Sequence, residues 1–142
     1  MLKRYVASMI AAFAAAAVPA SAIAEGNLAS QPTTLELFID GRNLTFSNTE
    51  YEIETGKYYR WELTSDGIEE LMVRAPDLFR NSWINQIVIN DLEVHTSGAI
   101  YGVEFDDEGT VVVFFVPIRP GNYEFFAPGH EERGLSGTFI VR

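Results

Sequence analysis

The sequence predicts an all-β protein, a Greek-key sandwich of seven or eight strands with one short helical insertion. Short apolar runs are separated by turn residues about every ten positions, which is typical of a sandwich. Strands do not alternate with long helical patterns, so a parallel α/β fold is not indicated. The 142 residues, 47% of them hydrophobic, suffice for one domain with a packed core.

The first strand is predicted at residues 35–39, where an apolar run ends at Asp40 and Gly41. Residues 51–54 alternate strictly between apolar and acidic side chains and form the second. In the third, residues 58–64, Tyr59, Trp61 and Leu63 share one face, because side chains of a strand alternate in direction.

Residues 69–89 are the least strand-like part of the domain, and we interpret them as an insertion. Pro76 suits an early helical position, so one or two turns of helix are expected there. The insertion carries Arg74, Arg80 and Trp83 and is a docking surface or, more simply, a solvated connection.

The second half of the chain returns to strands. Residues 110–118 are the most apolar run and predict a central strand buried on both faces. Pro120 and Gly121 suit the turn that follows. The other predicted strands cover residues 92–95, 100–105, 123–126 and 137–142.

Residues 1–24 have the pattern of a signal peptide. A basic start with Lys3 and Arg4 precedes the apolar residues 6–18, and Ala22 and Ala24 form an A-x-A cleavage site. The apolar stretch is shorter than the ~20 residues of a spanning helix, so we expect cleavage and no membrane insertion of the mature chain. Residues 25–34 are a flexible leader, residues 35–142 are the domain, and the expected location is periplasmic or secreted.

Composition excludes several classes of function. The chain has no cysteine, and therefore no disulfide, iron–sulfur cluster, thiolate zinc site or cysteine nucleophile. It has 10 Lys and Arg against 20 Asp and Glu, a net charge of −10. Nucleic acid is not an expected partner, because phosphate binding depends on clustered cations.

Residues 109–141 resemble the C-terminal half of the cupredoxins. A central apolar strand is followed by Pro-Gly-Asn-Tyr-Glu-Phe at residues 120–125, by Pro-Gly-His at residues 128–130, by Gly134 and by a Gly-x-x-x-Val strand at residues 137–141. Residues 51–64 resemble the paired early strands of that family. The resemblance implies a cupredoxin-like sandwich, and residues 90–95 fall roughly where the family has its first copper-binding histidine.

This chain departs from the family at the metal ligands. Ala127 stands where the copper-binding cysteine belongs and Leu135 where the axial methionine belongs, so only His130 remains from the C-terminal ligand loop. A blue-copper centre needs the thiolate. An ordinary blue-copper electron carrier is therefore excluded, whereas a metal site with nitrogen and oxygen donors stays open.

The predicted metal ligands are His130, His95 and Glu93. Glu93 and His95 are two residues apart and point to the same side of an extended segment. Two imidazoles and one carboxylate suit Cu(II), Fe(II) or Zn(II). In the alternative interpretation all three are ordinary polar residues of loops and strands, and no metal binds.

Two acidic clusters accompany these residues. The cluster at residues 104–108 is most simply a solvated hairpin turn, because the spacing of an EF-hand calcium loop is absent. Glu131 and Glu132 flank His130 and would attract cations to it.

The sequence contains no hydrolase, zincin or phosphate-loop motif, so the only enzymatic activity it suggests is metal-centred oxidation of Fe(II) or Cu(I). We expect a protein that binds a copper or iron ion for periplasmic metal handling or redox, with a periplasmic protein or membrane transporter as partner. The alternative is a metal-free cupredoxin-like module that binds another periplasmic protein. The loop at residues 128–135 distinguishes them, because the second interpretation requires its surface to be apolar.

Overall fold

A computed structural model describes residues 28–142. The predicted signal peptide, residues 1–24, lies outside the described residues, and so does the start of the predicted leader. Within the described part of the chain no helix is long and apolar enough to cross a membrane.

The described residues form eleven strands, one short α-helix and one 3-10 turn. The strands are β1 (Thr33–Asp40), β2 (Thr45–Phe46), β3 (Glu50–Ile53), β4 (Tyr59–Ser65), β5 (Leu71–Val73), β6 (Ser82–Ile89), β7 (Leu92–Val94), β8 (Val103–Phe105), β9 (Gly109–Pro117), β10 (Gly121–Phe126) and β11 (Ser136–Val141). The helix α1 covers Pro76–Arg80, and the 3-10 turn covers Glu131–Arg133.

Two sheets face each other across the core. The first has six strands in the order β2-β1-β4-β9-β6-β7, and the second has β10-β11-β3. The pair β5 and β8 joins the second sheet through Arg74 and Phe126, which exchange two backbone hydrogen bonds of 2.8 and 2.9 Å. The mostly antiparallel sandwich confirms the predicted fold class.

The core between the sheets is dominated by aromatic rings. Phe139 lies 4.8 Å from Tyr51 and 5.0 Å from Trp61, measured between ring centroids, and Phe125 lies 5.5 Å from Trp61. As the alternation in β4 predicts, Tyr59, Trp61 and Leu63 are all buried. Strand β9 lies between β4 and β6, which confirms its predicted central position.

The predicted insertion contains more strand than expected. Helix α1 begins at Pro76 as predicted, but β6 follows it and pairs with β9 along almost its whole length. The apolar alternation of β6 is broken by a bulge between Ile84 and Gln86, where the register shifts by one residue. That bulge explains why a period-two pattern did not identify the strand.

Strand order places three loops at one end of the sandwich. Strand β9 ends at Pro117 and β10 begins at Gly121, so these termini share one end. The start of β9 pairs with the end of β4, and β10 runs back in the opposite direction to β9. The loops at residues 66–70, 106–108 and 127–135 therefore lie at the other end, which we call the His130 end.

Candidate metal sites

The loop that carries His130 is held closed by its own backbone. The Ala127 N–H donates to the Leu135 carbonyl over 2.9 Å, and the His130 N–H donates to the Ala127 carbonyl over 3.0 Å. Gly134 ends the 3-10 turn with a φ of 106°, a left-handed conformation that favours glycine. The hydrogen bonds position His130 relative to the ends of β10 and β11.

His130 has one ring nitrogen without a protein partner. Its Nδ1 is buried and makes no hydrogen bond. The two residues that the family resemblance aligns with copper ligands are both apolar and buried, since Ala127 is 1% exposed and Leu135 is 0% exposed. The residues present therefore do not fit a blue-copper centre, which needs a sulfur donor beside the imidazole.

Glu93 and His95 lie together on the edge of the six-stranded sheet. The His95 Nε2 is 3.6 Å from the Glu93 Oε2, and the two side chains are 69% and 57% exposed. Gln86 on the neighbouring strand donates to Glu93 over 3.5 Å. The structure thus brings these two predicted ligands together, whereas His130 lies in a loop of the other sheet, and the complete set of three stays a prediction.

A third group of ligand atoms was not predicted. One carboxylate oxygen each from Glu70, Glu104 and Asp106 lies within 4.8 Å of the others, and all three residues are exposed. Strand pairing explains the cluster: Leu71 pairs with Phe105, which places Glu70 opposite Asp106, and Glu104 lies on the same face as Asp106. None of the ion pairs that the described residues form involves these carboxylates.

The acidic turn at residues 106–108 is exposed, but it does not close a hairpin. It connects β8, which pairs with β5, to β9, which pairs with β4 and β6. The turn therefore crosses from one sheet to the other.

The sequence analysis did not assign Glu70 to this carboxylate cluster, because no sequence signal indicates that β5 pairs with β8. It identified only the acidic residues at 104–108, which are neighbours in the chain.

These groups differ in the ions that they suit. Three carboxylates without nitrogen or sulfur form an all-oxygen group, which suits hard cations. An imidazole nitrogen instead suits Cu(II), Zn(II) and Fe(II). The loop around His130 also presents polar residues outward, because Glu132 and Arg133 are exposed whereas Leu135 is buried.

The fold is similar to that of copper proteins of known structure. Auracyanin from Roseiflexus castenholzii matches with a TM-score of 0.53 at 19% identity, over 78% of this chain and 97% of its own. Auracyanin A from Chloroflexus aurantiacus, a "blue" copper protein, matches with a TM-score of 0.53 at 18% identity, over 79% of this chain and 100% of its own.

A multicopper oxidase from Campylobacter jejuni, a metallo-oxidase, matches with a TM-score of 0.56 at 9% identity over 78% of this chain, which spans only 30% of that oxidase. The chain matches no protein-family model and no curated protein sequence. At these identities the likeness shows the fold, which is cupredoxin-like and confirms the predicted resemblance.

Proposed function

We propose that this protein is an exported cupredoxin-like domain that binds a copper or iron ion through a site without a thiolate, with His130 as the anchoring ligand. The observation that carries this proposal is the buried Nδ1 of His130, which has no hydrogen-bond partner. The role that we propose for this ion is periplasmic metal handling or redox.

An unpartnered buried nitrogen is energetically unfavourable. Leaving a buried polar atom unsatisfied costs about 1–3 kcal/mol, so native structures rarely keep one without a reason. A metal ion bound to the lone pair of Nδ1 would remove that cost. The other ring nitrogen would then carry the proton, as in the neutral imidazole that metals bind.

Acidic residues around the His130 end favour the approach of a cation. Glu131 and Glu132 follow the histidine, and the exposed carboxylates of Glu70, Glu104 and Asp106 lie at the ends of strands β5 and β8. Negative charges gathered at one end of a small domain raise the local concentration of cations there. The polar surface of the loop at residues 128–135 also argues for this interpretation over an apolar docking surface.

The metal ion can be tested directly. Elemental analysis of protein purified without chelators, followed by calorimetric titration of the metal-free form with Cu(II) and with Fe(II) under anaerobic conditions, measures stoichiometry and affinity. We expect one equivalent to bind in the wild type and affinity to fall at least tenfold in His130→Ala. Equal affinity in the wild type and in His130→Ala would overturn the assignment.

Two double variants test whether the other candidate ligands contribute to metal binding. Glu93→Gln with His95→Ala tests whether these residues complete the ligand set, and Glu70→Gln with Glu104→Gln tests the carboxylate cluster. Loss of Cu(II) binding in the first as well as in His130→Ala would support all three predicted ligands. Loss of binding only in the second would move the metal to the carboxylates and overturn the role of His130.

Export is the second part of the proposal. Its support is the signal-peptide pattern of residues 1–24. The intact mass of the protein recovered from the periplasmic fraction of an expressing bacterium should correspond to a chain that starts at Glu25. Retention of Met1 in the recovered protein would contradict cleavage.

A metal-free module that binds another periplasmic protein is the second candidate. Its support is the group of exposed apolar side chains along β6 and β7, with Ile89 41%, Leu92 71% and Val94 45% exposed. In that event Leu92→Glu with Val94→Glu would abolish co-purification of a periplasmic partner, and His130→Ala would leave it unchanged.

A further inference from the structure

A cleft of about 400 Å³ lies at the opposite end of the sandwich from the His130 loop. Its walls come from the end of α1, the beginning of β6 and the loop at residues 96–99. Ser82, in one wall, pairs with Pro117 at the end of β9, which fixes the position of the cleft. The volume falls within the range of small-molecule sites, ~300–1,000 Å³.

The cleft contains a cation without an acidic partner. Arg80 lines it, and none of the ion pairs that residues 28–142 form involves this side chain. Other arginines of the described residues, such as Arg119 and Arg133, also form no ion pair, but Arg80 is the arginine that lines this cleft. A guanidinium only donates hydrogen bonds, and its planar fork fits a carboxylate.

Ser82, a second polar residue of the lining, has a hydroxyl group without a partner. The hydroxyl oxygen of Ser82 is buried and makes no hydrogen bond. Because an unsatisfied buried hydroxyl is unfavourable, a ligand atom that accepts a hydrogen bond from Ser82 would be stabilised. Arg80 and Ser82 together offer donors to a ligand that supplies acceptors.

Most of the other side chains in the lining are apolar, and the loop at residues 96–99 adds the polar residues Thr96 and Ser97. Phe79 and Ile84 are buried at the cleft, and Trp83 is 48% exposed and presents a large aromatic surface to it. Such surfaces favour a ligand with an apolar or aromatic body. From the two donors and these walls we propose that the cleft binds a small organic carboxylate whose body is apolar or aromatic. The proposal is independent of metal binding, because no residue is shared with the candidate metal sites.

Benzoate is a suitable probe, with benzamide as its uncharged counterpart and acetate as the anion without an aromatic body. Binding to the ¹⁵N-labelled full domain is followed by the indole N–H signal of Trp83, assigned by its loss in Trp83→Phe. Trp61, the other tryptophan, is 0% exposed and serves as an internal reference. We expect benzoate to shift the Trp83 signal saturably and to bind at least about tenfold more tightly than benzamide, which lacks the negative charge, and than acetate, which lacks the aromatic body.

Arg80→Gln should weaken benzoate binding about tenfold or more, and Ser82→Ala should weaken it by a smaller factor. Arg119→Gln is the matched control, because it removes an exposed arginine outside the cleft and should leave affinity unchanged. Thermal melting confirms that each variant is folded. No saturable shift, equal affinity for benzamide, or equal affinity in Arg80→Gln would each overturn the proposal.

Discussion

The ring of Phe125 occupies the space that a side chain at Gly137 would need. The two residues pair across β10 and β11, and a Cβ built on Gly137 overlaps the Phe125 Cζ and lies 2.5 Å from the Thr49 carbonyl oxygen. Glycine at this position therefore leaves room for a fully buried aromatic ring against the neighbouring strand.

Gly137→Ala should lower the free energy of unfolding by about 3 kcal/mol, because the added methyl group meets both a core ring and backbone. Urea unfolding followed by circular dichroism measures this change. Gly98→Ala is the control, since a Cβ there has no atom within 4 Å, and it should leave stability unchanged. Equal stability of the two variants would contradict the close packing of Phe125 against Gly137.

Phe139→Ala should cost about 3–5 kcal/mol of unfolding free energy. Phe139 is 0% exposed and its ring lies 4.8 Å from Tyr51 and 5.0 Å from Trp61, so its removal opens a cavity in the aromatic core. Phe38→Ala removes a ring that is 45% exposed and should change stability by only about 0.5 kcal/mol. Chemical denaturation of both variants tests the difference, and a small effect at Phe139 would show that the core repacks.

The sequence predicted those parts of the fold that depend on local pattern. Alternation identified the inward face of β4, and a continuous apolar run identified β9, because these signals follow from how each strand is buried. Strand β6 was missed because its bulge breaks the alternation. Likewise Glu70 was not assigned to the carboxylate cluster, since only the long-range pairing of β5 with β8 brings it to Asp106.

Asn43 should control the acidity of Asp40. The Asn43 side-chain amide and backbone N–H each donate to the Asp40 carboxylate over 2.8 Å, and these bonds lower the pKa of Asp40 below 3.8. A lowered pKa in the folded state stabilises the protein above pH 3.8, and that contribution is lost as pH falls through the folded value. Asn43→Ala should raise the pKa of Asp40 towards 3.8 in an NMR titration, whereas Asn122→Ala should not. An unchanged pKa in Asn43→Ala would contradict the role of the amide.

Burial of Tyr51 should make stability depend on pH in the opposite sense, with a loss of stability at alkaline pH. Desolvation raises its pKa above 10.0, and its hydroxyl donates to the Glu36 carbonyl over 2.6 Å. Because the folded value is the higher one, the contribution to stability is present below pH 10.0 and is lost as pH rises towards the folded pKa. Stability measured between pH 9 and 12 should therefore fall less steeply in Tyr51→Phe than in the wild type. Identical slopes would show that Tyr51 does not contribute.

Ala127→Cys tests whether the His130 loop can still assemble a copper site around a sulfur ligand. Ala127 is 1% exposed, and its carbonyl accepts the His130 N–H, so a thiol at this position lies in the same closed loop as the imidazole. A cysteine thiolate bound to Cu(II) gives the site its colour, so this variant with Cu(II) should absorb strongly in the visible range, whereas the wild type should not. Ala127→Ser has a similar size but no sulfur and should stay colourless. Combining Ala127→Cys with His130→Ala should abolish the absorption if both residues bind one ion; a colour that persists in the double variant would show that the imidazole is directed elsewhere.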